Sequence, residues 1–171
     1  MRPSRILLIL CILLALWQAV HYAPLLPERV ASHFDAAGRA DGWSPKGDFF
    51  ALNLAFAVGM ALLFLGLSAW LAKIPIEWIS LPHKDYWLAP ERRAATLQTL
   101  QQQMEWLAAA TVALLVGITQ LTIEANLAGG QAWPQDTFWL LFGGYMAFFV
   151  VWLVWLLRKW YARPAQGADT P

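Results

Sequence analysis

The sequence has few charges and almost no cysteine. Only 13% of its residues are charged, the formal net charge is +1, and Cys11 is the single cysteine. One cysteine leaves no intrachain disulfide, and the chain has no paired-cysteine zinc pattern, glycine-rich phosphate loop or serine elbow. A net charge of +1 gives no case for nucleic-acid binding. We therefore predict no cofactor and no nucleic-acid partner.

Apolar residues are abundant instead. They make up 59% of the chain, and the mean hydropathy is +0.47, which is typical of a membrane protein. About half of the chain is expected to lie in lipid. The remainder is too short for a separate soluble catalytic domain. Any activity must then lie in the loops or between helices. We favour a nonenzymatic role and leave an enzymatic one open.

Four apolar runs are long enough to cross a hydrocarbon core of about 30 Å, which takes about 20 helical residues. They cover residues 6–22, 49–71, 106–123 and 138–157. Inside lipid each backbone amide needs a partner within its own segment, so such runs must be helices. The sequence predicts an all-α integral membrane four-helix bundle, with residues 1–171 as a single domain. The first run lacks a small-x-small cleavage site, so we expect an uncleaved anchor.

Basic residues fall mainly on one side of the predicted spans. Nine of the twelve would share that side, namely Arg2, Arg5, Lys73, Lys84, Arg92, Arg93, Arg158, Lys159 and Arg163. Short loops rich in lysine and arginine stay in the cytoplasm. We therefore predict cytoplasmic termini in a bacterial inner membrane, with residues 24–48 as a structured extracytoplasmic loop. The tail, residues 162–171, lacks apolar periodicity and is expected to be disordered.

Polar chemistry concentrates in that outer loop, residues 24–48. His33 and Asp35 are two positions apart, so in an extended segment both side chains would point the same way. They could form a hydrogen-bonded pair or two metal ligands. A metal site would need more ligands, from His21, Asp41 or Glu124. The alternative is structural, with His33 and Asp35 bonded to loop backbone and Trp43 covering the helix ends.

Several polar residues lie at one depth beneath this loop. They are Gln18, His21, Asn53, Gln120 and Glu124. Because burying polar groups in hydrocarbon is costly, their shared depth predicts a polar pocket that opens outward. For His21 and Glu124 the alternative is a wet interfacial position. The candidate ligand site thus comprises His33, Phe34, Asp35, Asp41, Trp43, Gln18, Asn53 and Glu124.

The inner connection, residues 73–103, contains a second candidate site. Pro90 is tolerated in the first turn of a helix, so one helix is predicted from Pro90 to Asn126. The candidate contacts for a cytoplasmic regulator are His83, Asp85, Trp87, Arg92 and Arg93. The segment before Pro90 fits a turn held at the membrane surface, with the arginines near lipid phosphates. The alternative is an ion bound by His83, Asp85 and Glu91.

Glycines within the spans could allow close helix packing. They are Gly59, Gly66, Gly143 and Gly144. Removing side chains permits backbone contact between helices in lipid. The oligomeric state is not predicted, because these glycines form no strict small-xxx-small motif.

One set of loop residues resembles a known family. The set is Leu26, Pro27, Val30, His33, Phe34, Gly38, Asp41, Gly42 and Trp43. In its place after a first membrane helix, it resembles the bacterial domain of unknown function that begins the Sdp-type toxin immunity proteins, over about the first 70 residues. Ala31 departs from the pattern, which commonly has proline there. A second block, residues 80–93, resembles the inner loop of short uncharacterised membrane proteins with the same domain.

The resemblance implies a membrane location and a set of partners. Sdp-type immunity proteins protect against a secreted peptide toxin and can hold a transcriptional repressor at the membrane. They carry further C-terminal spans, whereas four spans are predicted here, so the resemblance implies the domain first and the immunity role second. The expected partners are the lipid bilayer, an extracytoplasmic peptide and a cytoplasmic regulator.

Three hypotheses follow. The favoured one is a nonenzymatic envelope-sensing or toxin-immunity protein, with the outer loop as ligand surface and the inner loop as partner contact. The second is a small membrane enzyme or metal-binding protein that uses His33 and Asp35. The third is an accessory subunit of a transport complex.

Overall fold

The computed structural model describes residues 2–130 and 132–162. Two long helices flank a β-hairpin at the start of the chain, and two more follow an irregular connection. The elements are α1 (Pro3–Tyr22), β1 (Arg29–Phe34), β2 (Ala40–Pro45), α2 (Lys46–Leu71), a 3₁₀ turn (Ile76–Trp78), α3 (Lys84–Trp87), α4 (Pro90–Leu127) and α5 (Gln135–Tyr161). Arg163 and nearly all of the predicted disordered tail lie outside the described residues.

Helices α1, α2, α4 and α5 are each long and apolar enough to cross a membrane. The four predicted spans are thereby confirmed, and the chain is a multi-pass membrane protein. The predicted continuous helix from Pro90 is also confirmed, since α4 runs for 38 residues with the proline in its first turn. It stops before Gly129 and Gly130, which both take positive φ angles that favour glycine.

Three helices form the centre of the structure. Small and aliphatic residues of α1, α2 and α4 pack together, among them Leu8, Cys11, Ala57, Ala61, Ala108, Ala109, Val112 and Val116. Of the other three long helices, only α4 packs against α5. The predicted four-helix bundle is therefore a three-helix core with a fourth helix attached to one side.

A glycine on α4 allows α5 to pack closely against it. A Cβ atom on Gly117 would lie 2.7 Å from Leu141 Cδ2, so this side chain of α5 occupies the space that the glycine leaves. By contrast, nothing lies within 4 Å of a Cβ added at the glycines chosen from the sequence, namely Gly59, Gly66, Gly143 and Gly144. The expectation that those four allow close packing is wrong for the described residues.

The segment between α1 and α2 corrects the all-α prediction. Strands β1 and β2 form an antiparallel hairpin in which Val30 is opposite Ser44. Val30 and Leu26 are buried against Phe49 and Ile123, so apolar residues at the base fix the hairpin to the helix ends. This end of the molecule is called the hairpin end below.

The other end of the molecule contains the start of α1 and the end of α5. It is called the basic end below. Here the connection after α2 folds back on itself, and Ile74, Ile79 and Leu88 form a small apolar cluster against Leu97 of α4. Gln101 Nε2 donates to the Ser68 carbonyl at 2.9 Å, which ties α4 to α2.

Candidate functional site: a cleft at the hairpin end

Asn126 attaches the hairpin to α4. Its Oδ1 accepts a 2.7 Å hydrogen bond from the Ala31 amide, and its Nδ2 donates to the Ala31 carbonyl at 2.8 Å. The side chain thus satisfies both backbone groups of one β1 residue, as a neighbouring strand would. Sequence reasoning missed this residue. The available signal was a lone asparagine in the last turn of an apolar helix.

His33 and Asp35 do not form the pair that their spacing suggested. His33 Nδ1 lies 2.5 Å from Asp41 Oδ1 across the hairpin. Pairing is irregular on both sides of His33, so the simple alternation of side chains along an extended strand breaks down there. The proposed His33–Asp35 pair is therefore wrong, and His33 pairs with Asp41 instead.

Asp35 organises the turn at the tip of the hairpin. Its Oδ1 accepts 2.9 Å hydrogen bonds from the amides of Ala37 and Arg39, and its Oδ2 lies 2.8 Å from Arg39 Nη2. The backbone amide of Arg39, followed by its guanidinium and the Ala37 amide, lowers the pKa of the Asp35 carboxyl. Gly38, with φ of +75°, completes the turn. This contact with loop backbone matches the structural alternative for Asp35.

A metal site at these residues lacks ligands. Within residues 2–130 and 132–162, no three histidine, cysteine or acidic side chains come together in a way that could hold a metal ion. His33 has one carboxylate beside it, and the Asp35 carboxylate is engaged by the turn. The described residues therefore give the metal-binding hypothesis no ligand set.

The polar side chains beneath the hairpin join helices to one another. Gln18 Nε2 donates to the Val116 carbonyl at 3.1 Å and to Gln120 Oε1 at 3.0 Å. Gln120 Nε2 in turn donates to Glu124 Oε1 at 3.0 Å and to the Tyr22 hydroxyl at 3.3 Å. Gln18, Gln120 and Glu124 therefore form one network between α1 and α4.

Asn53 lies in a separate contact. Its Oδ1 accepts a 3.0 Å hydrogen bond from the Thr119 hydroxyl, and its Nδ2 donates to the Phe49 carbonyl at 2.8 Å. The bond with Thr119 joins α2 to α4, and the bond with Phe49 lies within α2. His21 is exposed at the end of α1, where its ring stacks on Trp17.

An open cleft of about 300 Å³ lies between the hairpin, α4 and the start of α5. Its lining residues are Ser32, His33, Phe34, Asp35, Ala36, Ile118, Thr122, Trp133, Gln135, Phe138 and Trp139. Three of the eight residues selected from the sequence line it, namely His33, Phe34 and Asp35. Trp43 projects from the hairpin elsewhere and is 53% exposed. The cleft is large enough for a few side chains of a ligand.

Aromatic rings form one wall of the cleft. The ring centroids of Phe34 and Trp133 are 4.9 Å apart, and Trp133 lies edge-on to Phe138 at 6.0 Å. Sequence reasoning missed Trp133, Phe138 and Trp139 because they come about 100 residues after the hairpin. Only the fold brings the two regions together.

Backbone contacts hold the two walls in place. The Trp133 amide donates to the Gly38 carbonyl at 2.8 Å, and Gln135 Nε2 donates to the Ala36 carbonyl at 3.0 Å. Ala132 also forms an isolated antiparallel bridge with Arg39. The start of α5 is therefore fixed to the tip of the hairpin.

The hairpin side of this site lies in a stretch of the chain that matches a known family. Residues 6–57 match the family described as a domain of unknown function, DUF1648. The match confirms the predicted N-terminal domain, over a slightly shorter stretch than the first 70 residues. No curated protein and no solved structure shows significant similarity to the chain.

The DUF1648 match covers most of α1, the hairpin and about the first half of α2. The other wall of the cleft, from α4 and α5, lies beyond the matched residues. The cleft thus lies between the residues that match DUF1648 and the helices that follow them.

The second group of predicted residues, at the basic end, forms a packed turn. His83 takes a left-handed conformation with φ of +51°, and both His83 and Asp85 are exposed. Trp87 packs edge-on to Trp160 of α5, with ring centroids 5.1 Å apart. Its carbonyl accepts a 2.8 Å hydrogen bond from the Thr96 hydroxyl. These contacts fit the turn expected from the sequence.

The two arginines of that group differ. Arg92 Nε donates to the Tyr86 carbonyl at 3.0 Å, and its guanidinium carbon lies 4.0 Å from the Tyr86 ring centroid. Arg92 also forms a 2.9 Å ion pair with Glu91. Arg92 is therefore engaged within the turn, while Arg93 is half-buried on the next position of α4.

A buried carboxylate at the basic end ties the start of α1 to α4. The Glu105 side chain is 0% exposed. Its Oε1 accepts hydrogen bonds from Arg2 Nη1 at 3.0 Å and Arg5 Nη2 at 2.7 Å, and its Oε2 accepts one from the Ser4 hydroxyl at 3.0 Å. Sequence reasoning missed Glu105. An acidic residue at the edge of an apolar run was the signal.

Proposed function

We propose that this protein is a nonenzymatic envelope-sensing or toxin-immunity protein of a bacterial inner membrane, and that it binds an extracytoplasmic peptide in the cleft. The observation that carries the proposal is the aromatic cleft between the hairpin and the start of α5. Apolar pockets with a few polar groups are the usual form of ligand sites. The resemblance to the N-terminal domain of Sdp-type immunity proteins supports the same role.

The proposed orientation places the hairpin end outside the cell. Basic residues of the described chain gather at the opposite end, near the start of α1, after α2 and at the end of α5. Such clustering favours a cytoplasmic location for that end. A peptide in the periplasm or outer medium would then reach the cleft without crossing the bilayer.

The cleft chemistry favours an amphipathic peptide. The rings of Phe34, Trp133 and Phe138 offer apolar contact area, and aromatic surfaces often dominate the energetics of protein interfaces. His33 and Gln135 provide polar groups at the same site. A segment with apolar side chains and free backbone hydrogen-bonding groups fits both features.

Helix α4 offers a direct route from this cleft to the cytoplasmic side. Ile118 and Thr122 line the cleft, and the same helix begins at Pro90 beside the inner turn. The exposed His83 and Asp85 belong to that turn and form the surface proposed for a cytoplasmic regulator. A ligand that shifts α4 would alter this surface, because one continuous helix joins the two sites.

Growth of a deletion strain in medium conditioned by its parent tests the proposal. Wild-type protein should restore growth, and the double variant Phe34→Ala/Trp139→Ala should not, because both side chains line the cleft. Trp43→Ala is the matched control, since it removes an exposed tryptophan from the hairpin but not from the cleft. Membrane abundance of each variant is measured by immunoblot.

Two results would count against a ligand role for the cleft. One is full restoration of growth by the double variant at normal abundance. The other is an equal loss of growth with Trp43→Ala, which would indicate a general requirement for the hairpin. Failure of wild-type protein to restore growth would exclude the immunity form of the proposal.

A further inference from the structure

Helix α5 carries a groove near its C-terminal end that the proposed peptide site does not use. Aliphatic residues line one part of it, and basic residues line the other. The lining residues are Val150, Val151, Val154, Trp155, Arg158 and Lys159. Because α4 is the only other long helix that packs against α5, and neither Trp87 nor any α4 residue lines the groove, this face is open. The apolar part of the groove is therefore continuous with a pair of cationic side chains.

The two cations have no acidic partner among the described residues. Within residues 2–130 and 132–162, neither Arg158 nor Lys159 forms an ion pair, whereas Arg2 and Arg5 both pair with Glu105. Lys159 Nζ lies 5.1 Å from the ring centroid of Trp155, at the groove. The cationic end of the groove thus has no anion supplied by the described chain.

A second, buried indole ring lies beside Lys159. Trp160 is only 4% exposed, and its Nε1 has no acceptor among the described residues. Its ring centroid is 5.2 Å from Lys159 Nζ. Lys159 Nζ therefore lies close to two indole rings, those of Trp155 and Trp160, and these contacts hold it at the end of the groove.

We infer that this groove binds one anionic phospholipid. Arg158 and Lys159 contact the phosphate, and an acyl chain lies along Val150, Val151 and Val154. Basic pockets on membrane helices are typical sites for anionic headgroups. The valines favour a lipid over free phosphate, because only a lipid has an acyl chain that can contact the apolar part of the groove. The edge-on packing of Trp160 against Trp87 fixes the position of this helix end.

Native mass spectrometry of the full chain in mild detergent tests the inference. Dioleoyl phosphatidylglycerol and dioleoyl phosphatidylcholine are titrated separately, and the tightest binding step is compared. Each basic residue near an anionic lipid surface contributes about fivefold in affinity. The variant Arg158→Gln/Lys159→Gln should therefore weaken phosphatidylglycerol binding about 30-fold and leave phosphatidylcholine binding unchanged.

The matched control is Lys73→Gln/Lys84→Gln, which removes the same charge from the same end of the molecule but not from the groove. It should alter phosphatidylglycerol binding by no more than about twofold. An equal loss in this control would overturn the inference, because it would show a general charge effect. Equal affinity for the two lipids, or displacement of the lipid by millimolar inorganic phosphate, would overturn it as well.

Discussion

Replacing Glu105 with alanine should loosen the start of α1 from α4. The carboxylate is fully buried and is the shared acceptor for Arg2, Ser4 and Arg5. In Glu105→Ala the Ser4 hydroxyl and two guanidinium groups lose this acceptor together. The substitution leaves the apolar core of the three central helices untouched.

The expected cost follows from the burial of each partner. Removing one member of a fully buried ion pair costs about 3–5 kcal/mol, because the remaining charge stays buried. Here the side chains of Arg2 and Arg5 are 27% and 49% exposed, so they can turn to water or headgroups. We therefore expect a loss of about 2–3 kcal/mol, which corresponds to a fall in Tm of about 5–10 °C.

The single cysteine provides the assay. Cys11 is buried in the central helix cluster, so a maleimide dye that fluoresces on reaction with thiols reports its exposure as the protein unfolds. Purified protein in detergent is heated with the dye, and the midpoint is recorded. Glu91→Gln is the control, because Glu91 is 61% exposed and its ion pair with Arg92 should contribute less than about 1 kcal/mol.

A midpoint for Glu105→Ala within about 1 °C of the control would refute the reasoning, because each kcal/mol should shift the midpoint by about 2–4 °C. It would mean that the Glu105 contacts are offset by the cost of desolvating the carboxylate. A large shift in both variants would point to a general effect of removing acidic residues at this end.

Three other perturbations test the hairpin end and the attachment of α5. Asn126→Ala should release β1 from α4 and raise amide hydrogen exchange at Ala31 at least tenfold, and unchanged exchange would contradict its role as a strand-like partner. Gly117→Leu should separate α5 from α4 and lower the Tm, while Gly59→Leu, at an open position, should not; equal effects would contradict this account of helix packing. The lowered pKa of Asp35 means that its contribution to the turn is complete above its ordinary value of 3.8 and is lost as pH falls through the lower folded value. Exchange at the hairpin tip should therefore rise in strong acid relative to intrinsic rates, and Asp35→Asn should remove that pH dependence; an unaltered pH profile in this variant would assign the effect to another group.

The sequence was sufficient to predict the membrane-spanning helices. Each is a long apolar run, and lipid forces such runs to be helical whatever their neighbours. Pro90 marked the start of α4 for an equally local reason, because its position suits a first helical turn. These features depend on residues close together in the chain.

The hairpin and the cleft depend on distant contacts. Strand β1 is stabilised by Asn126, about 95 positions further along the chain. The pairing of His33 with Asp41 reflects an irregular register that residue spacing alone does not reveal. In the sequence, Glu105 is simply an acidic residue at the edge of a span. Only the fold brings Arg2 and Arg5 beside it. Sequence reasoning thus found one wall of the cleft and missed the wall that α4 and α5 provide.

The central claim is that the cleft at the hairpin end faces the outside of the cell. Single cysteines are introduced at Ala37, at the hairpin tip, and at Gln98, on the first turns of α4, in a Cys11→Ala background; both positions are exposed. Intact cells are treated with a maleimide that cannot cross the membrane. We expect labelling at position 37 in intact cells and labelling at position 98 only after permeabilisation. Labelling at position 98 in intact cells, with protection at position 37, would contradict the proposed orientation and with it the extracytoplasmic peptide site.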